Sequence, residues 1–368
     1  MLGVSLKHFN FLKEKMSNLL VKSTTEVEQV KSLLAKELPS YRKAYSDRTS
    51  WLMAFISELA YMRFNPIFKD LSKERFIKQI SKLVAIEDVK SLSALIEMVG
   101  YDSDEEREKL EENANFLDLK LIKTFDNNGT QAILLENNCH IFLGFRGTEV
   151  TSIRDIKFDL KAVIKTCETG GKIHTGFDEA FSQVDVEIQQ FLNQDEFGKK
   201  PLFITGHSLG GALATIAAKK LTHKGGIASC YTFGSPMVGN VDWATGIKTP
   251  IYRVVNAVDP VTVMPPSGVV VGLSSSVLGL IPYIGSVIKT FLRSKFGNYY
   301  HCGDMKYLSI CKAGDYENVQ LLYGVSFIFR ARAFLKNNMP GSKIPADHSI
   351  TVYRNKLRVI ASKKNLKA

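Results

Sequence analysis

Residues 201–221 read Pro-Leu-Phe-Ile-Thr-Gly-His-Ser-Leu-Gly-Gly-Ala-Leu-Ala-Thr-Ile-Ala-Ala-Lys-Lys-Leu, and no other stretch restricts the possible folds as tightly. The apolar, β-prone run Leu202, Phe203, Ile204 predicts a strand, and Ala212, Ala214, Ala217 and Ala218 predict a helix. Between them stands Gly206-His207-Ser208-Leu209-Gly210. Strand, sharp turn and helix with a serine at the apex is the context a nucleophile elbow requires. Glycines two before and two after the serine let strand and helix approach without a Cβ clash. The helix N-terminus then aims free N–H groups at a centre where negative charge can develop.

A serine hydroxyl needs a base within hydrogen-bond reach and an acid to orient that base. With such an elbow the order is Ser, Asp or Glu, His, each beyond a later strand. Asp259 fits the acid: it follows the apolar run 251–258 in Asn256-Ala257-Val258-Asp259-Pro260, and Pro260 cannot continue a ladder. The competing reading of such an Asp-Pro is an Asx-type turn. Asp242 and Asp304 are fallback acids. Of the histidines after Ser208, His223 ends the elbow helix too near in sequence to fold back. His348 precedes Ile350, Tyr353 and Leu357 at helical spacing and is favoured as the base; His301, in Tyr299-Tyr300-His301-Cys302-Gly303, is the alternative. The backbone N–H of Leu209 and the loop at Gly147-Thr148, after an earlier strand, are the expected oxyanion donors.

The surrounding chain fits an α/β arrangement. Leu119 to Phe125, the Asn128-Gly129 turn and Gln131 to Leu135 predict a hairpin. His140 to Phe145, Ile227 to Phe233, Ile251 to Val255 and Lys306 to Ile310 predict further strands, with one helix over about Phe177 to Leu192. Strands alternating with helices imply a mainly parallel sheet covered on both faces. Residues 1–118 read as helical, with Trp51, Leu52, Phe55, Ile56, Leu59 and Met62 forming an apolar stripe packed on the 119–368 domain. The acidic run Asp104 to Glu108 reads as a solvated helix start and no metal site.

The chain has 368 residues, 45% of them hydrophobic, enough for a large core, and a net charge of +11. That charge favours an anionic lipid surface; without zinc-finger spacing or an RNA-binding signature it argues against nucleic acid. Five scattered cysteines without CxxC spacing suggest neither a disulfide framework nor zinc, and no cofactor is implied. The first ten residues lack a signal-peptide core, which predicts a cytoplasmic chain, or export without a cleaved signal, with peripheral membrane association. Val269 to Ile288 carries no charge and is followed by Lys289, Arg293 and Lys295. It has the length of a membrane span, yet a span would put a bilayer between acid and base. The preferred reading is an apolar flap at about 269–296, the alternative a buried hairpin. Lys356, Arg358, Lys363, Lys364 and Lys367 would add attraction to anionic headgroups.

The pieces Phe145-Arg146-Gly147-Thr148, Ile173-His174-Thr175-Gly176-Phe177, the elbow, Phe233-Gly234-Ser235-Pro236, Asn256 to Pro260 and Asp347-His348 with Tyr353 just beyond resemble, in this order, the class 3 lipases. The resemblance spans about 119–353. It implies an α/β-hydrolase fold with an N-terminal helical extension, a triad of Ser208, Asp259 and His348, and an oxyanion hole at Thr148 and Leu209. It also implies a structural role for Tyr300 to Gly303, a lid at about 153–171, and hydrolysis of glycerolipid or phospholipid acyl esters at a membrane surface. A thioesterase or acyltransferase, or an inactive membrane-binding relative, is the alternative.

Overall fold

The structure is a computed structural model and describes residues 18–39, 44–64, 81–82, 102–147, 164–257, 259–265, 299–312, 314–326, 329–330 and 346–365. Its strands are β1 (Lys120–Asn127), β2 (Thr130–Glu136), β3 (Ile141–Phe145), β4 (Ile164–Thr166), β5 (Lys172–His174), β6 (Leu202–His207), β7 (Ile227–Phe233), β8 (Ile251–Asn256), β9 (Asp304–Leu308) and β10 (Leu321–Tyr323). Among the described residues eight of them form one sheet in the order β1-β2-β3-β6-β7-β8-β9-β10, and β4 and β5 form a separate antiparallel ladder. From β3 to β9 every neighbouring pair in the large sheet is parallel. β2 and β10 flank this centre antiparallel. The fold is that of an α/β-hydrolase, with a mainly parallel sheet flanked by helices.

The helices are α1 (Thr24–Leu34), α2 (Asp47–Leu59), α3 (Ser103–Phe116), α4 (Thr175–Ser182), α5 (Asp185–Leu192), α6 (Leu209–Lys220), α7 (Val241–Thr245) and α8 (Ile350–Asn365). All six residues of β6 are buried, as a central parallel strand must be. The alanines of α6 let it lie close on the sheet, and they share one core with Ile204, Leu143 and Cys230. The Asn128-Gly129 turn has φ of 48° and 80°, the type I′ geometry that the dipeptide favours. The one helix expected over about 177–192 is two in the structure. Val184, at φ of −124°, leaves the helical region between α4 and α5, and Asn127 Nδ2 donates to the Gln183 carbonyl beside this break at 2.8 Å.

The chain divides into two compact units: Met1–Lys22 with Met62–Lys120, and Ser23–Tyr61 with Leu121–Ala368. This division differs from a helical half closing at residue 118, because α1 and α2 fold with the sheet. In the first unit the acidic run opens α3: the Asp102 carboxylate accepts from the N–H groups of Asp104 and Glu105 at 2.8 and 3.3 Å. In the second unit α2 is buried on every side, not along a stripe alone. Two polar residues near its C-terminal end are paired, while Thr49 Oγ1 and Ser50 Oγ are buried without a hydrogen bond among the described residues. Ser57 Oγ lies 2.8 Å from Thr205 Oγ1 on β6, and Glu58 meets Thr351 and Arg354 of α8.

Four basic residues of the tail have partners within the fold. Lys356 is buried and donates to Asn256 Oδ1 (2.7 Å) and the Ser309 carbonyl (2.8 Å). Arg358 pairs with Glu26, Lys363 with Glu317 and Lys364 with Asp47. Lys356 and Arg358 are thereby tied into the packing of α8, while Lys363 and Lys364 stay exposed. The proposed flap at 269–296, residues 153–163 of the proposed lid, and Lys367 lie outside the described residues.

Candidate active site

Ser208 sits between β6 and α6 with φ of 58° and ψ of −127°, a backbone that few non-glycine residues adopt. Tertiary closure enforces it. A Cβ at Gly206 would stand 2.1 Å from the Gly210 carbonyl oxygen, and one at Gly210 would stand 2.3 Å from that of Phe145. Only glycines permit strand, turn and helix to meet this closely. Leu209 is the first residue of α6, so its N–H belongs to the first-turn donors that have no acceptor within the helix. Thr148, its expected partner in the oxyanion hole, lies outside the described residues; Gly147 beside it is buried.

Asp259 and His348 reach Ser208 from the C-terminal end of β8 and the start of α8. His348 Nδ1 lies 2.9 Å from both carboxylate oxygens of Asp259, and His348 Nε2 lies 2.9 Å from Ser208 Oγ. The carboxylate only accepts, so Nδ1 carries the proton and Nε2 presents its lone pair to the serine O–H. All three residues are 1% exposed. Two further contacts orient Asp259, and a third sets the tyrosine that makes one of them. Tyr353 donates its O–H to Oδ2 at 2.6 Å, the Val261 N–H donates to Oδ1 at 3.0 Å, and the Asn256 N–H donates to Tyr353 Oη at 2.9 Å. Burial, and then the charge of Asp259, hold the Tyr353 hydroxyl well above its ordinary pKa, so it remains a donor.

The other candidates stand elsewhere. His301 Nε2 donates to the Thr262 carbonyl at 2.6 Å, and His223 Nε2 is 2.7 Å from that of Lys200. Asp242 belongs to the short α7 and accepts from Asn240 Nδ2 at 3.1 Å, and Asp304 is exposed at the start of β9. The sequence reading passed over two contributors. Gly234 (φ 57°) leaves room for the acid, since a Cβ there would lie 2.6 Å from Asp259 Oδ2 and 3.0 Å from His348 Nδ1. Its Gly-Ser-Pro context was visible, but not its neighbour. His207, inside the elbow itself, donates from Nε2 to the His348 carbonyl at 2.6 Å. Burial, with the nearby His348 ring, keeps His207 well below its ordinary pKa and hence neutral.

Residues 142–269 match the family described as Lipase (class 3). This segment belongs to the class 3 lipases. A secreted mono- and diacylglycerol lipase of Fusarium solani is 42% identical over 113 residues, which cover 28% of this chain and 33% of that protein. A lipase of Rhizomucor miehei is 35% identical over 169 residues, covering 41% and 45%. The chain thus spans less than half the length of either relative. Among solved structures, lipase II of Rhizopus niveus superposes with a TM-score of 0.49 at 20% identity, covering 83% of this chain and 94% of that one. The relatives' names correct one expectation. Lipases of Fusarium solani and Malassezia globosa are named as secreted, which points to export rather than to a cytoplasmic, peripherally membrane-bound chain. No helix among the described residues is long and apolar enough to cross a membrane.

Proposed function

We propose that the chain is a serine acyl-ester hydrolase of the lipase type, with a glycerolipid or phospholipid as substrate. The reading rests on the unbroken hydrogen-bonded run from Asp259 through His348 to Ser208, at 2.9 Å per step. In this mechanism Ser208 Oγ attacks the ester carbonyl while His348 Nε2 takes its proton. Asp259 holds the Nδ1–H and stabilises the imidazolium. The Leu209 N–H, with Thr148 as the second donor, stabilises the tetrahedral oxyanion. Collapse of that intermediate expels the alcohol, which takes the proton from His348. Water, deprotonated by the same imidazole, then releases the fatty acid. The fungal relatives named as mono- and diacylglycerol lipases support a glycerolipid substrate.

Action at a lipid surface is supported by the charge-free run 269–288 and the net charge of +11. Ser208→Ala should lower turnover of an emulsified diacylglycerol by about 10⁴- to 10⁶-fold, and it should abolish labelling by a fluorophosphonate probe. Hydrolysis at a near-normal rate by that variant would reject the mechanism. Product analysis on a mixed lipid extract then separates phospholipid from neutral glycerolipid.

A further inference from the structure

Ester hydrolysis by Ser208 requires that the base be held to a fraction of an ångström, since a misplacement of about 1 Å costs on the order of 10²-fold in rate. His348 stands in a turn two residues before α8, and residues 331–345 further back along the chain lie outside the described residues. Two side chains grip its backbone. Asn256 Nδ2 donates to the Asp347 carbonyl at 2.8 Å, and His207 Nε2 donates to that of His348 at 2.6 Å. Lys356 sets the Asn256 amide. The imidazole of His207 is set by Tyr61, at the end of α2, whose hydroxyl lies 2.7 Å from His207 Nδ1. A carbonyl only accepts, so His207 carries its proton on Nε2, and the Tyr61 O–H donates to Nδ1.

Tyr61 also touches the opposite side of the site. A Cβ at Gly147 would lie 2.2 Å from Tyr61 Oη, 2.4 Å from the His207 carbonyl oxygen and 3.2 Å from Ser208 Cβ, so these four residues form one tight contact. The Arg146 guanidinium lies 5.9 Å from the centre of the Tyr61 ring.

We propose that Tyr61 and His207 are positioning residues: together they fix the backbone of the base and tie it to the strand end beside the oxyanion donors. This inference rests on the hydrolase reading above. Its physical core is the tautomer. Without the Tyr61 hydroxyl, the His348 carbonyl alone holds the proton on Nε2, and the tautomer with its proton on Nδ1 becomes more populated. The Nε2 lone pair then faces the His348 carbonyl lone pairs at 2.6 Å, and the base is pushed off its grip.

The test uses the full chain and the variants Tyr61→Phe, His207→Gln, His207→Phe and the double variant Tyr61→Phe/His207→Phe. kcat and KM on a soluble short-chain ester are measured beside the rate at which a fluorophosphonate labels Ser208. Tyr61→Phe should lower kcat and the labelling rate about tenfold and leave KM within about twofold. His207→Phe should lose about 10²-fold. His207→Gln, whose amide nitrogen can stand in for Nε2, should recover most of that loss. The double variant should be no slower than His207→Phe, because both act through one hydrogen bond. Full kcat in Tyr61→Phe, or losses that multiply in the double variant, overturn the proposal. If His207→Phe does not fold, Tyr61→Phe and His207→Gln decide it. A wild-type chain whose Ser208 takes the probe but hydrolyses no ester defeats the hydrolase reading, and the labelling rates still judge the pair.

Discussion

Acidification should weaken this fold through His174, and the size of the effect can be worked from one helix cap. His174 ends β5 and caps α4: its Nδ1 accepts the Phe177 N–H at 3.3 Å, and its ring stacks on Phe177 at 4.0 Å between centroids. Protonation at Nδ1 would remove the acceptor and put a charge in a largely buried place. Burial accordingly pulls its pKa down to about 4. In the unfolded chain this imidazole titrates near its ordinary value of about 6.5. Between these values the unfolded state binds more protons than the native state, so stability rises with pH across that window and falls on acidification. From pH 7.5 to 4.5 the loss from this residue is about 2.5 kcal/mol. His174→Asn keeps a capping oxygen at every pH and cannot titrate there.

Urea unfolding at the two pH values, followed by tryptophan fluorescence, measures the difference. The chain's two tryptophans, Trp51 and Trp243, are both buried in the sheet-bearing unit, so the signal reports that unit alone. The other buried histidines contribute equally to both proteins and cancel. The wild-type chain should lose about 2.5 kcal/mol more than the variant. Equal losses would refute the assignment of the cap and its titration.

Two substitutions probe the packing around the site. Gly234→Ala forces a left-handed backbone on alanine and drives a Cβ to within 2.6 Å of Asp259 Oδ2. It should reduce stability by about 1–2 kcal/mol and kcat by at least about 10²-fold, read by thermal unfolding and steady-state rates; unchanged turnover would contradict the geometry. Glu58→Ala removes the carboxylate that meets Arg354 and Thr351, and should cost about 1.5–3 kcal/mol in urea unfolding. A loss under 1 kcal/mol would mean that the ion pair does not hold α2 to α8.

Much of this architecture could be read along the chain because it is local. Strand periodicity, the Asn128-Gly129 turn and the elbow each depend on residues within a few positions of one another. β10 escaped notice because a three-residue strand carries too little periodicity to register. Continuity between α4 and α5 was expected because the apolar spacing runs on through Val184, whose non-helical backbone the periodicity does not reveal. The basic tail could not be assigned from composition. Its partners Glu26, Asp47 and Glu317 lie far off in sequence, and a lysine at helical spacing looks alike whether solvated or paired.

Sequence alone determined the chemistry available. It supplied a serine on a strand-to-helix turn, an acid beyond a later strand, histidines after it, and the periodicities that make a parallel sheet. It favoured His348 over His301 by position along the chain, but it could not find the Tyr61–His207 pair or the space kept open by Gly234. Those depend on which side chains share a few cubic ångströms once strands and helices pack. Contacts across 89 to 146 residues of chain are set by the closure of the core and by the need of each buried donor for an acceptor. Only the folded arrangement determines that His348, and not His301, faces the hydroxyl of Ser208.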